Sequence, residues 1–179
     1  MSPGTTTRSV LLPGGEFVMG SSEFYPDESP VHRVRVDAFE IDRYPVTNAE
    51  FGDFVAATGY LSVAERPLDP ADYPGVPAAD LAPGALVFTP TPGPVDLRDF
   101  TQWWRWIPGA RWSEPAGPGS TVAGKNDHPV VQVSFADAAA YAQWAGKDLP
   151  RWAVSFAARS SDSARLRSRA DLIWSTDRF

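Results

Sequence analysis

The chain is 179 residues long, with 43% hydrophobic and 12% aromatic residues and a formal charge of −6. This length and composition are typical of one folded domain with a sizeable core, and they exclude a disordered chain. The acidic balance argues against nucleic-acid binding, which needs a basic face, and no apolar run approaches the roughly 20 residues of a membrane-spanning helix.

The N-terminal region is predicted to contain strands. Residues 1–9 are predicted as a disordered tail without the apolar segment of a signal peptide, so we expect a cytoplasmic protein. Phe17 and Met19 alternate with polar or small neighbours after a Pro-Gly-Gly turn, which predicts a first strand. Apolar and charged residues alternate over positions 34–41, which predicts a pair of strands with a bulge near Ala38.

A helix is predicted next, over positions 48–58. Thr47 and Glu50 form a capping box, in which a hydroxyl and a carboxylate three residues apart satisfy backbone N–H groups of the first turn. Apolar residues then follow at helical spacing, and Gly59 stands where a helix ends in the left-handed conformation.

The middle of the chain, 61–123, is rich in Pro, Gly and Asp, which predicts long connections with few regular elements. Its one predicted strand is 85–89, and the stretch 100–112 is dense in Trp. A short buried strand is predicted over 129–133 because this run is apolar.

A second helix follows that run. Ser134 and Asp137 form its capping signal, and Asp137 also places a negative charge at the helix N-terminus, where the dipole favours it. The helix is predicted to end at Gly146. Four residues form one face of the helix: Ala138, Tyr141, Ala142 and Ala145.

The last 29 residues, 151–179, differ from the rest. They carry a net charge of +3, against −9 for the remainder, and they contain neither Pro nor Gly. Such a change in composition marks a boundary, and 153–159 is predicted as a weak helix.

Four segments of the chain carry a family resemblance: PGGEFVMGS (13–21), the stretch 28–60, WWRWIPGARWSEPAGPGS (103–120) and HPVVQVSFADAAAYAQWAGKDLP (128–150). In this order and spacing they resemble the formylglycine-generating enzyme, or sulfatase-modifying factor, family. The resemblance implies an α+β fold related to C-type lectins, with little regular secondary structure. It also implies that residues 10–150 are the N-terminal part of the domain, so that the domain is incomplete.

The resemblance further implies an activity, a partner and cofactors. The family uses O₂ to convert the cysteine of a Cys-x-Pro-x-Arg segment in an unfolded sulfatase into formylglycine. The reaction uses a Cu(I) ion held by two cysteines late in the domain, in keeping with the preference of Cu(I) for soft thiolates. Structural calcium sites also lie late in the family's domain.

The chain departs from the family after Pro150. Its second half is not recognisable in 151–179, and the chain contains no cysteine, which excludes a disulfide, a thiolate nucleophile and a thiolate metal site. We therefore expect an inactive chain without catalytic residues, copper or calcium, whose tail arises from a frameshift or truncation. The alternatives are a shortened variant with another role, a non-enzymatic peptide-binding module, and a fragment that does not fold.

By resemblance, the substrate groove contains Asp69, whose carboxylate would pair with the arginine of the substrate, and Ala64 on the wall beside it. The alternative for Asp69, which precedes Pro70, is a turn cap. Trp103 and Trp104 are weaker candidates for stacking on an extended peptide, together with Trp106 and Trp112. Core or loop packing is the favoured interpretation of these four rings.

The remaining candidates have structural interpretations. His32 and His128 are the only histidines and stand without carboxylates at ligand spacing, so we interpret them as structural residues rather than metal ligands. Asp27 and Glu28 are interpreted as solvated loop residues.

Overall fold

A computed structural model describes residues 9–77 and 81–150 of the chain. The chain divides into two compact units, whose described parts are 9–44 with residue 150, and 45–149 without 78–80. We call them unit 1 and unit 2. No helix within the described ranges is long and apolar enough to cross a bilayer.

Unit 1 consists of two antiparallel strand pairs. Its strands are β1 (Ser9–Leu12), β2 (Gly15–Met19), β3 (His32–Val36) and β4 (Phe39–Asp42), and β1 pairs with β4 while β2 pairs with β3. The strand predicted around Phe17 and Met19 is confirmed as β2. β1 begins at the last residue assigned to the N-terminal tail, and residues 1–8 lie outside the described part.

The prediction for 34–41 is wrong in its pairing. The segment does form two strands, β3 and β4, but each pairs with a strand earlier in the chain, and no bulge connects them. The turn between β1 and β2 lies against the backbone that separates β3 from β4. A Cβ atom at Gly14 would stand 2.7 Å from the carbonyl oxygen of Val36, so only glycine fits this approach.

In unit 2, helix α1 (Asn48–Thr58) has the predicted limits and the predicted cap. The Thr47 N–H donates to the Glu50 carboxylate at 2.8 Å, and Glu50 N–H donates to the Thr47 hydroxyl at 3.4 Å. Gly59 ends the helix with φ 68°, in the left-handed region.

The first turn of α1 is also bound by a distant loop. The backbone N–H groups of Asn48 and Ala49 donate to the carbonyls of His128, at 2.9 Å, and Asn126, at 3.1 Å. The buried Asn48 amide donates to the carbonyl of Lys125 at 2.9 Å. These bonds satisfy backbone donors that a helix N-terminus leaves free.

Helix α2 (Phe135–Trp144) confirms the second capping signal, and Gly146 follows it with φ 68°. The helices share an aromatic core in which Phe51 and Phe54 are buried. Ring centroids 4.9 to 6.1 Å apart connect these two residues to Tyr60, Trp112, Tyr141 and Trp144. Burial of such large apolar rings is the main stabilising contribution in this region.

The predicted strand at 85–89 is confirmed as β5 (Gly84–Phe88). It pairs antiparallel with β6 (Trp104–Pro108), which comes from the Trp-dense stretch and was not predicted as a strand. The predicted buried strand at 129–133 is wrong. Gln132 has φ 60°, which breaks the extended backbone, and Val131 is exposed.

The helix predicted over 153–159 lies outside the described residues.

Candidate functional site

Asp69 lies on the surface at the start of the 3-10 turn Pro70–Asp72. Its Oδ1 atom accepts a hydrogen bond from the Ala71 N–H at 2.9 Å, so the carboxylate caps this turn. A carboxylate has about four lone-pair positions, and one cap bond leaves room for a guanidinium. The cap and the predicted role in substrate binding are therefore compatible, and the binding role stays a prediction.

Ala64 lies in another 3-10 turn, Val63–Glu65, on the wall of a depression with a volume of about 180 Å³. The depression is smaller than the roughly 300 Å³ of a typical small-molecule site, and it suits one side chain of a ligand. Asp69 is not among its lining residues. These residues are Ala64, Glu65, Pro83, Gly109, Arg111, Glu114 and Pro118.

The charged side of this depression is an acid–base cluster. Arg111 lies 2.6 Å from the Glu114 carboxylate and 3.7 Å from that of Glu65. The Glu65 carboxylate also accepts hydrogen bonds from the hydroxyl and the N–H of the buried Ser62, at 2.7 and 3.0 Å. The depression therefore contains two carboxylates and one guanidinium, with a formal charge of about −1.

The wall that carries Ala64 is anchored by a buried carboxylate, Asp137. Its oxygens accept hydrogen bonds from the Ser134 N–H (2.7 Å), the Val63 N–H (2.9 Å) and the Tyr60 hydroxyl (3.0 Å). Burial raises the pKa of Tyr60, and the hydrogen bond to Asp137 raises it further.

Sequence reasoning assigned Asp137 only to the helix N-terminus, and the two bonds to the 60–63 segment were missed. The anchoring of this wall had one further signal in the sequence. The pattern Ser62-x-x-Glu65 is a capping box, like those of α1 and α2, and it marks the turn that carries Ala64.

The four tryptophans divide into two pairs. Trp103 and Trp112 are half-buried, and Trp112 packs edge-on against Phe51 with ring centroids 5.5 Å apart. Trp104 and Trp106 are not core residues, since each is 39% exposed, although the Trp104 ring packs against that of Phe88 with centroids 5.6 Å apart. The physical reason is strand alternation, because β6 directs both rings to the same face of a two-stranded ribbon.

The histidines have backbone partners. The Nδ1 atom of His32 lies 2.8 Å from the Pro30 carbonyl oxygen, and the backbone of His128 bonds to Asn48 and Lys125. Asp27 and Glu28 lie in the exposed turn Pro26–Glu28. Within residues 9–77 and 81–150, no group of three or more His, Asp or Glu side chains is placed to hold a metal ion.

The copper site that the resemblance implies does not fit these residues. It needs two thiolates, and none of the 179 residues is a cysteine.

Residues 2–173 match the family described as Sulfatase-modifying factor enzyme 1-like domain. Because the match covers nearly the whole chain, the chain belongs to this family, with a mixed α+β fold of two helices and small sheets among the described residues.

Three relatives illustrate the similarity of the chain to named members of the family. The chain is 60% identical to the Formylglycine-generating enzyme of Mycobacterium tuberculosis over 159 residues, which cover 88% of this chain and 53% of that protein. It is 45% identical to the Streptomyces coelicolor protein of the same name, over 91% of this chain and 50% of that protein.

The third relative is the Inactive C-alpha-formylglycine-generating enzyme 2 of Mus musculus, with 39% identity over 84% of this chain and 46% of that protein. The chain spans about half the length of these relatives.

Proposed function

We propose that this chain provides the N-terminal portion of a formylglycine-generating-enzyme-like domain, related to C-type lectins, and that the 179 residues by themselves do not catalyse the oxidation. The observation that supports this proposal most strongly is the absence of cysteine from a chain 60% identical to a formylglycine-generating enzyme. Cu(I) in this family chemistry is held by thiolates, and carboxylates and the two histidines are poorer ligands for so soft an ion. A relative named as inactive is in keeping with this proposal.

The test is a direct assay of the purified chain. We expect no O₂ consumption with a Cys-x-Pro-x-Arg peptide in the presence of Cu(I), and no tight Cu(I) binding in competition with a chromogenic chelator. Turnover above the rate measured with copper and peptide alone would contradict the proposal.

A second candidate function is a non-enzymatic module that binds the Cys-x-Pro-x-Arg segment of a sulfatase. The observation that favours it is the exposed carboxylate of Asp69, which can still accept a guanidinium while it caps its turn. The depression lined by Ala64, of net negative charge, would suit a cationic or small side chain of a ligand.

The chain offers a matched control for this candidate. Asp99 is also exposed, also begins a 3-10 turn, and also accepts from the N–H two residues on, at 3.1 Å. We expect Asp69→Asn to weaken binding of the peptide about 2- to 5-fold, the range for an exposed ion pair, and Asp99→Asn to leave it unchanged. Fluorescence anisotropy of a labelled peptide measures both. Equal affinities for wild type and both variants would eliminate the binding role of Asp69.

A further inference from the structure

Asp137 connects helix α2 with a segment that lies 74 to 77 residues earlier in the chain, and the residue is 0% exposed. Its Oδ2 atom accepts from the Ser134 N–H at 2.7 Å, which is the usual bond of a capping box. Its Oδ1 atom accepts from the Val63 N–H at 2.9 Å and from the Tyr60 hydroxyl at 3.0 Å, two bonds that a helix cap does not need. One oxygen therefore serves the helix, and the other holds the segment 60–63.

The segment held by the Oδ1 atom carries one wall of the depression. Val63 begins the 3-10 turn Val63–Glu65, and the two residues after it, Ala64 and Glu65, line the depression. Arg111 lines it too, from a part of the chain far from this turn. Because the Val63 N–H is bound one residue before the lining, the place of the wall depends on that bond.

Other hydrogen bonds of this turn shape it without attaching it to α2. The Ser62 N–H and hydroxyl donate to the Glu65 carboxylate, and the Glu65 N–H donates to the Ser62 carbonyl at 2.9 Å. Across the depression, the nearest Glu65 oxygen and Arg111 nitrogen are 3.7 Å apart, which is longer than a hydrogen bond. The turn is therefore a preformed unit, and the two bonds from Asp137 attach it to the helix.

We propose that Asp137 is a positioning residue for ligand binding in the depression. The proposal rests on the second candidate function, the binding of a Cys-x-Pro-x-Arg segment, and it names the group that keeps the wall of Ala64 and Glu65 in place. A site that is held in shape before its ligand arrives loses less entropy on binding, and residues behind the contacting side chains supply that support. A buried carboxylate suits this task because its hydrogen bonds are strong and shielded from water.

Two variants each remove one hydrogen bond, on opposite sides of Asp137. Tyr60→Phe deletes the hydroxyl bound to Oδ1 and keeps the ring that packs against Phe54 with centroids 4.9 Å apart. Ser134→Ala, the matched control, deletes the hydroxyl that accepts from the Asp137 N–H at 3.2 Å and keeps both bonds to the segment 60–63. Since each change removes a single hydrogen bond beside the same carboxylate, we expect similar reductions of the melting temperature.

Fluorescence anisotropy of a labelled Cys-x-Pro-x-Arg peptide gives the affinity of each variant. We expect Tyr60→Phe to weaken binding about 3- to 10-fold, the effect of loosening the wall by one hydrogen bond. We expect Ser134→Ala to leave the affinity unchanged, because the bonds from Asp137 to the wall remain. A residue that contributed only to stability would give equal affinities for the two variants at equal loss of melting temperature.

Hydrogen exchange of the wild-type chain, followed by NMR, provides a measurement that needs no variant. The Val63 N–H exchanges when its bond to Asp137 opens. A ligand that needs the wall in place favours the closed state, so saturating peptide should slow the exchange of this amide at least about 5-fold. The Phe51 N–H, which donates to the Thr47 carbonyl within α1, is the reference, because a general gain of stability would slow both amides equally.

Three results overturn the proposal. The first is equal weakening of peptide binding by the two variants, and the second is an unchanged affinity of Tyr60→Phe. The third is a bound peptide that leaves the exchange of the Val63 amide as fast as in the free chain. All three require a wild-type chain that binds the peptide, so they leave the second candidate function intact. A wild-type chain that binds no peptide contradicts that function and this proposal together.

Discussion

Replacement of Asp137 by alanine tests the strongest structural argument about unit 2. The Asp137 side chain is 0% exposed, and its two oxygens satisfy three donors, the Ser134 N–H, the Val63 N–H and the Tyr60 hydroxyl. Alanine leaves these donors without an acceptor, at a cost of about 1–3 kcal/mol for each buried group. Because water can re-satisfy part of this site, we expect the free energy of unfolding to fall by about 3–6 kcal/mol.

The conservative variant Asp137→Asn separates the loss of one hydrogen-bond acceptor from the loss of the whole carboxylate. It keeps one oxygen but turns the other position into an NH₂ group that faces a donor, so we expect a smaller loss of about 1–3 kcal/mol. Asp53→Asn, an exposed change on α1, is the control and should stay within about 0.5 kcal/mol.

Urea unfolding followed by tryptophan fluorescence measures all three variants. A loss below about 1 kcal/mol for Asp137→Ala would refute the reasoning, because it would mean that the cap bond from Ser134 and the two bonds from Tyr60 and Val63 contribute little to stability.

Three further predictions concern packing, backbone approach and titration. Phe51→Ala, at a side chain only 1% exposed, should cost about 3–5 kcal/mol in urea unfolding. Phe135→Ala, at a side chain 74% exposed, should cost under about 1 kcal/mol. Gly14→Ala places a Cβ atom 2.7 Å from backbone and should lower the melting temperature of unit 1. Gly15→Ala should leave the melting temperature unchanged, because no atom lies within 4 Å of its Cβ position. Equal effects of the two variants would contradict the close approach of the Gly14 backbone to Val36. Tyr60 should ionise above the ordinary tyrosine pKa of 10.0. Because this pKa is raised in the folded state, Tyr60 contributes stability that is present below pH 10 and is lost as the pH rises through the folded-state pKa. Absorbance at 295 nm should show one tyrosine that titrates late, and Tyr60→Phe should remove that signal.

The sequence predicts the elements whose signals are local. Both helices have their capping residues within three positions of each other, so α1 and α2 form where the patterns indicate. Strand pairing depends on partners far along the chain. β1 pairs with β4 about 30 residues later, and the alternation within 34–41 carries no information about which strand becomes the neighbour.

In the candidate site, too, contacts between residues far apart in the sequence could not be predicted. The capping role of Asp137 is readable from Ser134, but its bonds to Tyr60 and Val63 span 77 and 74 residues. Exposure of Trp104 and Trp106 could not be predicted either, because a strand pattern does not say which face of a sheet is covered. Asp69 and Ala64 are five residues apart in sequence, yet only Ala64 lines the depression.

The loop that binds the first turn of α1 has a consequence for how the chain is made. The side-chain amide of Asn48 donates to the carbonyl of Lys125, 77 residues downstream. The backbone N–H groups of Asn48 and Ala49 donate to carbonyls of the same 125–128 segment. During synthesis, α1 leaves the ribosome long before these acceptors exist, and closing so long a loop costs entropy before any bond forms. The N-terminus of α1 is therefore completed late, and a nascent chain arrested before residue 125 should expose its first-turn amides to rapid hydrogen exchange.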